Sequence, residues 1–133
     1  MHKIMALDIG TKRIGIAISD FLHIISNGHS YISRVPEASA IAEIYKIAKD
    51  NHANKIIVGV PVNMDGTRGG QADDCIAFAN KIKDYEIIFE DERLTSELAE
   101  ENLRAKKIDF RKEKGLVDVE SARLILEQYL SRT

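Results

Sequence analysis

Two apolar runs at residues 3–9 and 13–19, joined by the turn Gly10-Thr11-Lys12, constrain this chain more than anything else in it. Spacing this tight reads as two strands of a hairpin. The first run, Ile4-Met5-Ala6-Leu7, stops at Asp8, and the second is Ile14-Gly15-Ile16-Ala17-Ile18. A carboxylate there sits where the backbone leaves the core and turns. Gly10 and Gly15 carry no side chain to block a ligand, and Lys12 and Arg13 put positive charge beside the acid. An acid able to hold a hard cation, next to bases able to hold phosphate, points to phosphate-ester chemistry.

The remaining signals alternate. Residues 23–33 read as a third strand with an irregularity at Gly28, and Pro36 punctuates. Ile41, Ile44, Tyr45 and Ala48 fall on one helical face. Residues 55–60 form a buried strand stopped by Pro61, and the loop 61–70 is rich in breakers. A second helix carries Ala72, Cys75, Ile76, Ala79 and Ile82 inward, and residues 86–89 form a short strand. Thr95 caps a third helix to about Lys106, with Leu98, Ala99 and Leu103 inward. A loop over 107–117 precedes a last helix opened by Asp118, with Val119, Ala122, Ile125, Leu126, Tyr129 and Leu130 inward. The order β-β-β-α-β-α-β-α-α predicts one domain over 1–133, a mixed sheet with helices on both faces. Residues 55–60 reach the sheet by a crossover, so their C-terminal end is expected near Asp8, where ligands bind such sheets.

Several classes drop out. The net charge of −2 gives no global attraction to nucleic acid or membrane, so any anion site is a local patch. A single cysteine, Cys75, allows no internal disulfide, and its helical position reads as core. No apolar stretch has the length of a membrane span or a signal-peptide core, and the expected location is the cytoplasm. His2, His23, His29 and His52 show no ligand spacing and read as surface residues. The loop 61–70 lacks the Gly-Lys-Ser/Thr of a P-loop, although its glycines suit closure over a substrate.

Three acidic places are candidates to meet at one sheet edge: Asp8, the Asp91-Glu92 pair after the last strand, and Asp118. Clustered carboxylates hold Mg²⁺ or Mn²⁺, one ion activating water and a second stabilising the leaving oxygen of a phosphodiester. Each also has a plain structural alternative. Asp8 fits a turn residue bonding its own backbone, Asp118 fits an N-cap, and Asp91-Glu92 fit a solvated loop. The candidate phosphate contacts are Lys12, Arg13, Arg68 and Arg93, with Lys106, Lys107, Arg111 and Lys112 from the basic segment 104–114. A solvated helix end explains that segment equally well. Residues 84–101 carry eight acids against Arg93 alone and are expected to face away from nucleic acid.

Four blocks carry a resemblance. Asp8-Ile-Gly-Thr-Lys-Arg-Ile-Gly-Ile-Ala17, Gly59-Val-Pro-Val-Asn-Met-Asp-Gly-Thr67, Asp91-Glu-Arg-Leu-Thr95 and Gly115-Leu-Val-Asp-Val-Glu-Ser-Ala-Arg-Leu-Ile-Leu126 resemble, in order, motifs of the YqgF/RuvX family. These are bacterial Holliday-junction-resolvase-like nucleases linked to processing the 5′ end of the small-subunit rRNA precursor. The resemblance implies an RNase H-like three-layer α/β/α fold, sheet order 3-2-1-4-5 with strand 2 antiparallel. It implies a carboxylate triad of Asp8, Glu92 (Asp91 as the alternative) and Asp118, with Mg²⁺ or Mn²⁺ as cofactor. The partners it implies are pre-rRNA or a DNA junction and ribosomal particles, and both a monomer and a homodimer stay open. Ser121 stands where the family often has alanine, and Ser96 where it often has threonine. The alternative function is a non-catalytic ribosome-assembly factor that binds nucleic acid on the same fold. Asp-x-Gly-Thr also opens the sugar-kinase and actin ATPases, but their two-domain architecture is much longer than 133 residues.

Overall fold

Continuous apolar runs suit strands covered on both faces, and that is how these are used. The computed structural model describes residues 1–62, 69–92 and 95–133, with backbone alone at 95 and 96. Its strands are β1 (Lys3–Ile9), β2 (Arg13–Ser19), β3 (Ser26–Ser33), β4 (Ala53–Val60) and β5 (Glu86–Asp91). Its helices are α1 (Glu37–Asp50), α2 (Gly70–Ala79), α3 (Thr95–Ala105) and α4 (Gly115–Ser131). The five strands form one sheet in the order β3-β2-β1-β4-β5. β2 runs antiparallel to both neighbours, while β1, β4 and β5 are parallel. The irregularity expected at Gly28 is present: Ile16 faces Ser30 and Ala17 faces Gly28, so the register skips one residue.

Alternate residues divide the sheet into two cores. Met5, Leu7, Ile9, Ile14, Ile16, Ile56 and Val58 pack with Ala40 and Ile44 of α1 and Cys75 and Phe78 of α2. On the opposite face Ile4, Ala6, Ala17 and Ile57 pack with Ala122, Ile125, Leu126 and Tyr129 of α4. The second face is lined by smaller side chains, which brings α4 close to the sheet. Glu90 is buried at the far end of this face, where its carboxylate accepts hydrogen bonds from Arg132 and Gln128. Among the described residues no helix is long and apolar enough to cross a membrane.

Four expectations shift. Leu98 does not point inward: it is exposed, and α3 buries only Ala99 and Leu103 of the three. β5 extends through Asp91, so that residue ends the strand instead of following it. Ile82 is buried but lies beyond the end of α2. Helix α4 starts at Gly115, three residues before Asp118, and the Tyr31 ring occupies the space where a side chain at 115 would stand. Asp118 is therefore a first-turn residue, not the N-cap.

Ser121 has its hydroxyl buried without a hydrogen-bond partner. A buried, unsatisfied hydroxyl carries its desolvation penalty with no return. Ser121→Ala is expected to stabilise the protein by about 1 kcal/mol, read as a higher denaturant midpoint at unchanged slope.

Candidate active site

The site is a row across the sheet on the α4 face. Asp8 pairs with Gly15 in the β1–β2 ladder, so both project to the same side. On β4, Val58 pairs with Leu7, which sets Gly59 one residue further along, level with Asp8. The two glycines flanking Asp8 open the space into which the other acids come. A Cβ on Gly15 would overlap the main chain of Asp118 and lie 2.9 Å from the nitrogen of Val119. A Cβ on Gly59 would lie 2.5 Å from Glu92 Oε2 and overlap Ile125. Gly15 thus admits the first turn of α4, not a ligand as its sequence position suggests, and Gly59 admits the Glu92 carboxylate.

Glu92 follows β5, and its amide donates to the carbonyl of Val60 at 3.2 Å. Its carboxyl is hydrogen-bonded to that of Asp8. Two carboxyl groups bond only if they share a proton, so the pair holds one between them. Burial, and then the charge of Asp118, raise the pKa of Asp8 well above the ordinary carboxylate value. Burial, followed by the charge and hydrogen bond of Asp8 and the charge of Asp91, raises that of Glu92. The two titrate as a unit. The acid facing Asp8 is Glu92; Asp91 ends β5 and accepts a hydrogen bond at its carbonyl from Gln128.

Asp118 takes the Arg13 guanidinium at 2.8 Å, with both side chains partly exposed. Its position in the first turn of α4 also favours negative charge. Burial raises its pKa, and the Arg13 hydrogen bond and charge work against that. Among the described residues no three histidines, cysteines or acids lie together closely enough to cage an ion. The closed unit is the Asp8–Glu92 pair, with Asp118 within electrostatic reach and held by Arg13.

The chemistry of the donors fits a hard divalent cation. They are all carboxylate oxygens, and burial and mutual charge raise the pKa values of Asp8 and Glu92, a strain that a cation would relieve. Asp8 and Glu92 would hold the ion, and Asp118 would join on releasing Arg13.

Of the candidate phosphate contacts, Lys12, Lys106, Lys107, Arg111 and Lys112 are exposed, and Arg111 pairs with Asp109 at 3.2 Å. The Tyr31 hydroxyl donates to Glu113 at 2.6 Å and its ring packs on Gly115. Those contacts hold the basic segment beside the first turn of α4, next to Asp118. Arg68 and Arg93 lie outside the described residues, as does most of the loop proposed to close over substrate.

The sequence patterns miss Arg34. This buried residue donates to Gly10 O at 3.0 Å and pairs with Asp74 at 2.6 Å and Glu37 at 3.1 Å. Its amide also donates to Lys12 O. It fastens the turn after Asp8 to α1 and α2, through partners too distant in sequence to announce themselves. Cys75 reads correctly as core: burial pushes its thiol up to about 12, and it donates to Ile9 O at 3.2 Å. All four histidines are exposed.

Residues 2–132 match the family model described as RuvX: Holliday junction resolvase. Relatives named "Putative pre-16S rRNA nuclease" include one from Endomicrobium trichonymphae, 42% identical, covering 98% of this chain and 96% of its own. Another, from Clostridioides difficile, is 37% identical over 96% of this chain and 93% of its own. A fowlpox virus resolvase, solved with substrate Holliday junction DNA, has the same fold at a TM-score of 0.61 and 12% identity, covering 98% of this chain and 97% of its own. T. thermophilus RuvC, solved with a Holliday junction substrate, follows at 0.56 and 10% identity, covering 99% and 95%. With a matching family model over nearly its whole length and relatives above 35% identity, this chain belongs to the RuvX Holliday junction resolvase family.

Proposed function

We propose that this protein is a divalent-metal-dependent nuclease that hydrolyses phosphodiester bonds, with the 5′ end of pre-16S rRNA as substrate. The observation that carries the proposal is the half-buried Asp8–Glu92 pair, the Glu92 carboxylate lying over Gly59 level with Asp8, with the first turn of α4 bringing Asp118 in over Gly15. A binder of nucleic acid gains nothing from half-buried carboxylates that repel phosphate and lower its own stability. A site for Mg²⁺ or Mn²⁺ needs them.

When bound, the ion supplies charge to lower the pKa of water and to stabilise the leaving oxygen. The residues of the chain do the rest. Asp8 on β1 and Glu92 just after β5 present their oxygens across the intervening strand β4, over Gly59. Beside a bound divalent cation both carboxyls would favour their ionised form, the shared proton passing to water. Arg13, once released from Asp118, would be free to hydrogen-bond the phosphate. The relatives' name favours RNA, and the solved resolvases leave branched DNA as the second substrate.

The test compares purified protein with Mn²⁺ on labelled precursor RNA, single-stranded DNA and four-way junctions. Cleavage of the RNA is expected. Binding without cleavage of any of the three would replace this account with a non-catalytic assembly factor.

Binding is expected to be carried by local cations, since the whole chain has a net charge of −2. Replacing Lys106, Lys107, Arg111 and Lys112 together by alanine removes up to four phosphate contacts. Affinity should fall on RNA and DNA alike, and the slope of log affinity against log salt should flatten by about 3 on single strands. An unchanged slope would show that these residues are only a solvated connector.

A further inference from the structure

Helix α3 ends in an unusual way. Lys107 has a left-handed backbone, φ 60°. Its amide donates to Arg104 O and that of Ile108 to Leu103 O, each at 2.9 Å. This is a Schellman close, whose left-handed position is normally glycine. A lysine there accepts backbone strain, and such strain collects at working sites. The turn folds residues 108–111 back on the helix end and forms an open cleft of about 470 Å³, lined by Arg104, Lys107, Ile108, Asp109, Phe110 and Arg111.

The lining combines one aromatic ring with three cations. Phe110 is half-buried, with the Arg104 guanidinium 5.6 Å from its ring centre. Ile108 is exposed beside it. Asp109 accepts from both the amide and the guanidinium of Arg111, which fixes that arginine at the rim. An aromatic face within a positive rim is the pattern that holds single-stranded nucleic acid: the base stacks and the cations take the phosphates on either side. A paired base inside a duplex keeps its faces covered by its neighbours and offers no such surface.

We infer that this cleft is a subsite for one unpaired nucleotide of the substrate, its base stacked on Phe110 and its phosphates held by Lys107 and Arg111. The inference rests on the nucleic-acid reading above and adds a substrate feature, a single-stranded segment beside the cleavage site. Eight residues separate Phe110 from Asp118, so the chain limits their distance to at most about 28 Å. The subsite therefore lies within a few nucleotides of the acids.

The test measures binding without catalysis, in chelator. The probe is a short single-stranded RNA carrying one fluorescent adenine analogue that is quenched on stacking. Its fully paired duplex serves as control. Phe110→Ala should weaken single-strand affinity about tenfold, the scale of one lost base–aromatic stack, and abolish the quench. Phe110→Tyr should restore both, and duplex affinity should change in neither variant. Thermal melts establish that the variants are folded. Equal binding of single strand by Phe110→Ala and wild type, or equal loss of single strand and duplex, overturns the inference. Stack-dependent binding in a protein that never cleaves would uphold this subsite and overturn the nuclease reading instead.

Discussion

Asp8→Asn is expected to lower turnover by at least about a thousandfold, the scale of several kcal/mol of charge stabilisation, while making the metal-free protein more stable. The change is nearly isosteric and removes one charge from the half-buried pair. The sign of the stability effect follows from linkage. Asp8 and Glu92 have raised pKa values in the folded state, so folding favours their protonated forms. Below about pH 4, near the unfolded values, both states are protonated and the pair carries no penalty. As pH rises past that point the unfolded chain ionises freely and the folded one resists, so stability is lost through the folded pKa values. Asparagine at position 8 does not ionise. The stability gap between variant and wild type should be small at pH 4 and reach about 2 kcal/mol above neutrality, measured by denaturant melts in chelator. A variant no more stable than wild type at pH 8, or one with unchanged turnover, would contradict the assignment of Asp8.

Gly15→Ala is expected to destabilise the fold by about 3 kcal/mol, the upper range for forcing added volume into a packed interior. The new methyl would overlap the main chain of Asp118, which cannot rotate aside as a flexible side chain can. The first turn of α4 must lift from the sheet, carrying Asp118 away from Asp8. Activity should therefore fall by more than the folded fraction accounts for. At Gly70, where an added Cβ meets nothing within 4 Å, the same substitution should be nearly neutral for packing. Equal effects at the two positions would show that close approach of α4 is not what Gly15 provides.

The centre of the sheet was legible because β1, β2 and β4 are apolar on both faces, and only a few residues break the runs. Asp8 stands out for that reason, and the crossover from β3 through α1 puts the end of β4 beside it, as the element order predicts. What stayed hidden depends on contacts between distant segments. The ring packed on Gly115 in the first turn of α4 is that of Tyr31, 84 positions earlier in the sequence numbering, a contact no local pattern shows, and without it Asp118 reads as a cap. Leu98 looked inward by periodicity, yet α4 covers only part of α3. The partner of Arg13 is 105 residues away, and Arg34 binds across 40 residues to Asp74. No local pattern encodes those pairs. The choice of Glu92 over Asp91 came from a motif resemblance alone; strand alternation and the open space over Gly59 give it a physical basis, since the carboxylate that fills that space is Glu92.

The most direct measurement is metal add-back to exhaustively chelated wild-type protein, following cleavage of labelled precursor RNA and melting temperature in the same titration. A cation that neutralises the Asp8–Glu92 pair binds only the folded state, so it should raise the melting temperature as occupancy rises. The account predicts no cleavage in chelator, and a return of cleavage and of melting temperature over the same range of Mn²⁺ or Mg²⁺ concentration. Full cleavage in chelator, or cleavage restored with a melting temperature indifferent to the ion, would contradict it.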